Sequence, residues 1–185
     1  MLHSLVRNAR RERIISAAAE LARHGYDACL IRSVASAAGV SASTVYQYFP
    51  SKDDLLLGCF YEWLWDFETE HGYGTRDSDP FQRLLHAALK LTEKLTSSPL
   101  LAEAMIRPYL YADGTAAAQA DIVRGQVVRI FVSAFGDRQL TSRHMDVAEL
   151  LSDVWITNIT AFTQQRIASG ELSERIARTV GLLKG

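Results

Sequence analysis

Residues 30–55, LIRSVASAAGVSASTVYQYFPSKDDL, constrain the fold of this chain more than any other stretch. Two short segments with helical spacing meet at Ala38-Gly39-Val40. In the first, Ile31, Val34, Ala35 and Ala38 recur at the i, i+3, i+4, i+7 intervals of one helix face, and the two alanines let a second helix cross closely. Gly39 supplies the positive φ that ends a helix at no steric cost, and Val40 fills the corner. Ser41 is an N-cap for the second segment, along which Val45 and Phe49 share an inward face. Pro50 stops that segment, because the residue before a proline avoids the α region. Ser51 and Asp54 form a capping box that opens a third helix. This is the layout of a helix-turn-helix, in which a bracing helix holds a second one in the major groove of DNA.

The side chains left facing outward fit that use. Ser43, Thr44, Gln47 and Tyr48 offer hydroxyls, an amide and a phenol, the donors that reach phosphate oxygens and base edges. The alternative is a helical hairpin with a merely solvated face. Two tyrosines flanking a glutamine argue against it, since large aromatics are poor solubilising residues. The net charge of −1 alone would speak against nucleic acid, but its distribution does not. Residues 1–50 carry six arginines against Glu12, Glu20 and Asp27, a balance of +3, which leaves −4 on the remaining 135 residues. Arg7, Arg10, Arg11 and Arg13 crowd the N-terminal end, where they could straddle phosphates or simply be solvated.

The stretch resembles the DNA-binding signature of the TetR family of bacterial repressors, the pattern AxxAGVSxxTxYxYFxSKxxL. Ala35, Ala38-Gly39-Val40-Ser41, Thr44, Tyr46, Tyr48-Phe49, Ser51-Lys52 and Leu55 match it, as do Ile14, Ala17, Ala18, Leu21, Ala22 and Gly25-Tyr26 upstream. The resemblance implies an all-α chain of about nine helices. Residues 1–50 would form a three-helix DNA-binding domain, and residues 51–185 a helical ligand-binding and dimerisation domain. It also implies that Arg32, Ala42, Ser43, Thr44 and Gln47, with Ser41 beside them, reach bases or nearby phosphates, while Tyr46, Tyr48 and Lys52 meet the backbone. The family usually opens its second helix with threonine; here Leu30 follows Cys29, which puts the cap and one phosphate contact in question.

Length and composition agree. A chain of 185 residues holds a small reading head and a regulatory domain of ordinary size. Apolar residues at 48% suffice for a core, and four prolines without alternating β-rich runs favour helices throughout. Two cysteines, Cys29 and Cys59, are too few for a disulfide framework or a zinc site, and the five histidines show no metal-ligand spacing. No nucleophile elbow or phosphate loop appears, so neither enzyme activity nor a cofactor is expected. With no signal-peptide pattern and no apolar run near the roughly 18 residues of a membrane span, a cytoplasmic protein without a membrane partner is expected.

Beyond residue 51 the punctuation predicts a helix to about Glu70 and then the HGYGTRDSD loop. Asp79-Pro80 opens a helix to about Ser97, and Ser98-Pro99 one ending near Asp113-Gly114. A helix over 115–135 is closed by Gly136. A long helix over Thr141–Ser169 is followed, past Gly170, by a last one near 173–184. These helices carry two apolar loads. One is aromatic, with Phe60, Trp63, Phe67, Met105, Tyr109 and Phe131 as candidates to line an effector cavity, and Phe81, Tyr111 and Phe135 nearby. Such residues are usually plain core, but Pro108 removes a helical hydrogen bond and opens space between neighbours; Arg107 beside it could meet a ligand anion or, as a charge more often does, face solvent. The other load is C-terminal. Leu151, Trp155, Ile159 and Phe162 on the long helix, with Ile176 and Val180 on the last, are the candidates for a homodimer interface as well as a core, an interface that would space two heads on a palindromic operator of double-stranded DNA. A small apolar effector wedged among helices four to seven would move helix four and release the DNA, needing a coupling of only about 1–3 kcal/mol for a 5–150-fold loss of affinity.

Three segments, PFQRLLHAALKL, PLLAEAMIRPYLYADGTAAA and LSDVWITNITAF, are similar to the actinobacterial repressors of cholesterol and steroid catabolism. That likeness implies a steroid acid or its coenzyme A thioester as effector, although Pro108 stands where alanine is expected in that group. The alternatives are a multidrug- or fatty-acyl-responsive repressor of the same fold, or a non-regulatory helical dimerisation module.

Overall fold

The computed structural model describes residues 2–71, 79–136 and 140–184, and the side chains of 9–70, 79–136 and 140–184. Among the described residues nine α-helices follow one another: α1 (Leu2–Ala22), α2 (Ile31–Ala38), α3 (Ala42–Tyr48), α4 (Lys52–His71), α5 (Pro80–Thr96), α6 (Pro99–Leu110), α7 (Gly114–Ala134), α8 (Ser142–Thr163) and α9 (Ser169–Lys184). A single 3-10 turn, Tyr26–Ala28, joins α1 to α2, and no strand occurs among the described residues. The all-α architecture of about nine helices expected from the sequence is therefore what the described residues adopt. The expected loop after α4 lies mostly outside the described residues. No helix among the described residues is long and apolar enough to cross a membrane.

The chain divides into two compact units, Met1–Glu62 with Leu100–Asp121, and Trp63–Pro99 with Ile122–Gly185. In the first, Ile14, Ile15 and Ala18 of α1 pack with Val34, Ala35 and Ala38 of α2, Val45 of α3 and Phe49, as their spacing predicts. Leu55 and Cys59 of α4 complete this core, so it extends past residue 50. Both cysteine thiols are buried, and burial pushes their pKa up, keeping them neutral and poorly nucleophilic.

The helix ends follow local chemistry. Gly39, at φ 64° and ψ 41°, terminates α2, its N–H reaching the Ala35 and Ser36 carbonyls. Ser41 caps α3 by accepting from the Thr44 N–H at 3.1 Å. Ser41→Ala should therefore cost about 1 kcal/mol of head stability, read as a lower urea midpoint with an unchanged slope. Leu30, at the N-cap of α2, makes no side-chain cap and is 59% exposed; a threonine's hydroxyl is what the position lacks. Ser51 caps α4, accepting from the Asp54 N–H at 3.0 Å, but the return arm of the box runs between side chains, Ser51 Oγ donating to Asp54 Oδ2 at 2.6 Å.

In the second unit α5 and α8 pack on α9. Asp79 caps α5, accepting from the Phe81 N–H, and Lys184 at the far end of α9 donates to it; the two hold its carboxyl below the ordinary 3.8. Arg83 Nε donates to the Ala134 carbonyl at 3.0 Å at the end of α7. One boundary differs from expectation. The long helix stops at Thr163, not near Ser169, because Gln165 takes a left-handed φ of 57° and the Arg166 N–H turns back to the Ala161 carbonyl at 2.8 Å. Gly170, expected to separate the helices, lies instead in the first turn of α9.

Candidate nucleic-acid interface

Val45 is fully buried and Phe49 nearly so, and these two anchors turn the rest of α3 outward. Ser43, Tyr46 and Gln47 are exposed, as are Ser41 at the cap and Arg32 on α2; Ala42, Thr44 and Tyr48 are half-buried. The hydroxyls of Ser41, Ser43 and Thr44 form a cluster, with Ser41 Oγ 2.8 Å from each of the other two. This patch holds hydrogen-bonding groups of both senses, one carboxamide and one exposed phenol, and no carboxylate on α2 or α3. Such chemistry suits phosphate oxygens and base edges.

The flanking cations are less uniform than the sequence implied. Arg10 and Arg13 are exposed, whereas the Arg7 side chain lies outside the described residues. Arg11 is committed to the fold: its guanidinium pairs with Glu62 at 2.8 Å and lies 5.6 Å from the Phe49 ring centroid. Lys52 is half-buried, its ammonium 3.5 Å over the Tyr26 ring. The Tyr26 hydroxyl donates to Asp53 Oδ1 at 2.7 Å, its N–H to Glu103 Oε2 at 3.2 Å, and the Arg107 guanidinium lies 4.2 Å from the same ring. Desolvation first, and the bond to Asp53 second, push the Tyr26 phenol up to about 12, so it stays a donor at any physiological pH. Arg107, for which the sequence left a ligand anion or solvent as partner, is exposed, pairs with Glu103 and lies over the Tyr26 ring. Tyr26 had been visible only as part of a motif; the signal of its role is an aromatic ring and cations that the fold, not the spacing, brings together.

The effector candidates are split between the units. Phe60 and Met105 are fully buried and Tyr109 half-buried in the first. In the second, Trp63 and Phe67 stack at 6.4 Å, and Phe131 meets Trp155 edge-on at 6.5 Å. Pro108 is buried within α6, two residues from its end. On α8 the Ser152 hydroxyl is fully buried and has no hydrogen-bond partner among the described residues. The candidates on α8 and α9 differ in burial. Leu151, Trp155, Ile159, Ile176 and Val180 are buried within a single chain, so their stripe is the core of the second unit, and only Phe162 is half-exposed.

Fold and interface together define a helix-turn-helix regulator, and the chain belongs to the tetR family of bacterial regulatory proteins, whose model matches residues 14–59. Residues 78–183 match the tetracyclin repressor-like C-terminal domain. Within the family it is of the KstR type. It is 35% identical over 187 residues to the HTH-type transcriptional repressor KstR of Rhodococcus jostii (strain RHA1), covering 100% of this chain and 87% of that protein. To KstR of Mycobacterium tuberculosis it is 36% identical over 188 residues, covering 100% and 84%. A crystal structure of a TetR transcriptional regulator from Rhodococcus sp. RHA1 superposes with a TM-score of 0.86 at 26% identity, covering 95% of each chain.

Proposed function

We propose that this regulator represses transcription by binding a palindromic operator as a homodimer in the cytoplasm, and that a small apolar effector, a steroid acid or its coenzyme A thioester, releases it. The observation that carries the effector class is the full-length likeness to repressors named KstR. Residues 1–50 are the reading head and 51–185 the sensing and pairing part. Arg32, Ser43, Thr44 and Gln47 address bases, with Ala42 close against them and Ser41 and the backbone set Tyr46, Tyr48 and Lys52 fixing register. For pairing, the last two helices offer their uncovered side, where Leu150 and Leu182 are 54% and 78% exposed and Val154 and Phe162 half-buried, backed by Leu151, Trp155, Ile159, Ile176 and Val180. The buried Ser152 hydroxyl supplies a hydrogen bond that a carbonyl or hydroxyl on an otherwise apolar effector would satisfy.

The test begins with duplexes selected from a random pool by the purified protein, followed by anisotropy titration. Palindromic selected sites support the dimeric reading head, and failure to enrich any sequence sinks it. On the selected duplex Gln47→Ala should cost about 1–3 kcal/mol, a 5–150-fold loss, with little change on random DNA. A steroid-acid coenzyme A thioester should then displace the bound duplex at concentrations where a linear acyl thioester does not. The reverse order of potency would assign the protein to fatty-acyl sensing.

A further inference from the structure

Lys52 stands at a position where the family meets the DNA backbone, yet a free lysine is a poor choice for setting register. Its four-carbon stem samples many rotamers, all of which a phosphate contact must freeze. Here the ammonium is not free: it lies 3.5 Å over the Tyr26 ring, well inside the range of a cation–π contact. That contact uses the ring's negative face and leaves the N–H donors turned away from the ring able to bond elsewhere, and the half-buried side chain keeps part of its surface open to solvent. The ring itself is pinned from two helices. Asp53 at the start of α4 accepts its hydroxyl, and Glu103 of α6 accepts its backbone N–H, while Glu103 also pairs with Arg107, whose guanidinium shares the ring.

We propose that Tyr26 is the positioning residue for the Lys52 phosphate contact, its ring holding the ammonium ready for the DNA backbone while α4 and α6 hold the ring. This rests on Lys52 meeting phosphate, as set out above. Tyr26 itself touches no DNA in this scheme. Because its anchors Glu103 and Arg107 belong to α6, the aim of Lys52 follows the placement of that helix. An electrostatic contact to DNA is thereby tied to a helix outside the reading head.

The experiment measures the salt dependence of binding to the selected duplex, since each lost phosphate contact lowers the slope of log affinity against log salt by about 1. Lys52→Gln should lower it by about 2, one contact from each protomer of the dimer; an unchanged slope removes the Lys52–phosphate reading and this inference with it. Given that loss, Tyr26→Leu should lower the slope by a similar amount and the affinity about 5- to 10-fold at 0.1 M salt, with no further slope change in the double variant. Tyr26→Phe keeps the ring, loses the Asp53 bond, and should keep the slope. If Tyr26→Leu weakens binding at an unchanged slope, Tyr26 is only structural and the proposal is overturned. If Tyr26→Phe loses the slope as fully as Tyr26→Leu, the hydroxyl bond rather than the ring does the positioning, which also overturns it. A readout without substitution is the nuclear magnetic resonance of the Lys52 ε-methylene protons in the unaltered protein. Ring current should shift them upfield, and unshifted resonances overturn the proposal even if Tyr26→Leu fails to fold.

Discussion

Replacing Phe49 with alanine should abolish binding to every DNA sequence, specific or random. The ring is 5% exposed at the end of α3, where the Phe49 N–H still bonds the Val45 carbonyl at 3.0 Å. It is packed from several sides. The Arg11 guanidinium lies over it, and a Cβ at Gly58 would stand only 3.0 Å from its Cε1, so α4 passes the ring at glycine distance. Truncating a buried phenylalanine costs about 3–5 kcal/mol in lost transfer energy and residual cavity. The reading head is small, and among the described residues its core cluster has ten buried members to share that loss. Since whole domains are stable by only about 5–15 kcal/mol, and small ones less, the head should be largely unfolded. Circular dichroism would show the loss of helix, and anisotropy the loss of binding. Phe49→Leu keeps most of the volume and should cost about 1 kcal/mol, leaving DNA binding measurable. A Phe49→Ala protein with unaltered affinity would show that this ring does not hold α3 in place.

The head was legible in the sequence because its determinants are local. Ala35, Ala38, Val45 and Phe49 declare their faces by spacing alone, and Gly39 and Ser41 mark the turn by backbone chemistry that few other residues supply. What escaped was of two kinds. Long-range pairing leaves no trace in spacing: the sequence leaves Arg11 either straddling phosphates or solvated, and Glu62, 51 positions away, is what holds it. The sharing of the Tyr26 ring by Lys52 and Arg107 was hidden for the same reason. The second kind is ambiguity in the hydrophobic pattern itself. A stripe such as Leu151, Trp155 and Ile159 says that something must cover it, but nothing about whether the cover is the same chain or another copy. Here it is the same chain. The end of α8 was missed because helix termination was sought at glycine, and Gln165 adopts the left-handed conformation without one.

Trp155 is where that core can be tested. Its side chain is fully buried on α8, its ring meets Phe131 edge-on, and its Nε1–H donates to Thr92 Oγ1 at 3.0 Å. The Thr92 hydroxyl in turn donates to the Ala88 carbonyl at 2.7 Å, so the indole N–H and a helical hydroxyl satisfy each other within an apolar surround. Trp155→Ala should lower stability by about 3–5 kcal/mol. If the residue belonged to a surface covered only on dimerisation, the loss would instead appear as a weaker dimer whose monomer melts normally. Urea unfolding at several protein concentrations separates the two, because a core defect lowers the monomer's own midpoint. Trp155→Phe keeps most of the ring area but leaves a Thr92 lone pair unfilled, for about 1–2 kcal/mol. Three residues earlier on the same helix, Ser152→Ala should change stability with the opposite sign. Its buried hydroxyl already goes without a partner among the described residues, so removing it relieves a desolvation cost of about 1 kcal/mol in the effector-free protein. The same change should weaken displacement from DNA by an effector that uses that hydroxyl. Greater stability with weaker release would identify Ser152 as a group whose place in the core serves the effector, whereas greater stability with unaltered release would leave the effector's polar group to be sought elsewhere.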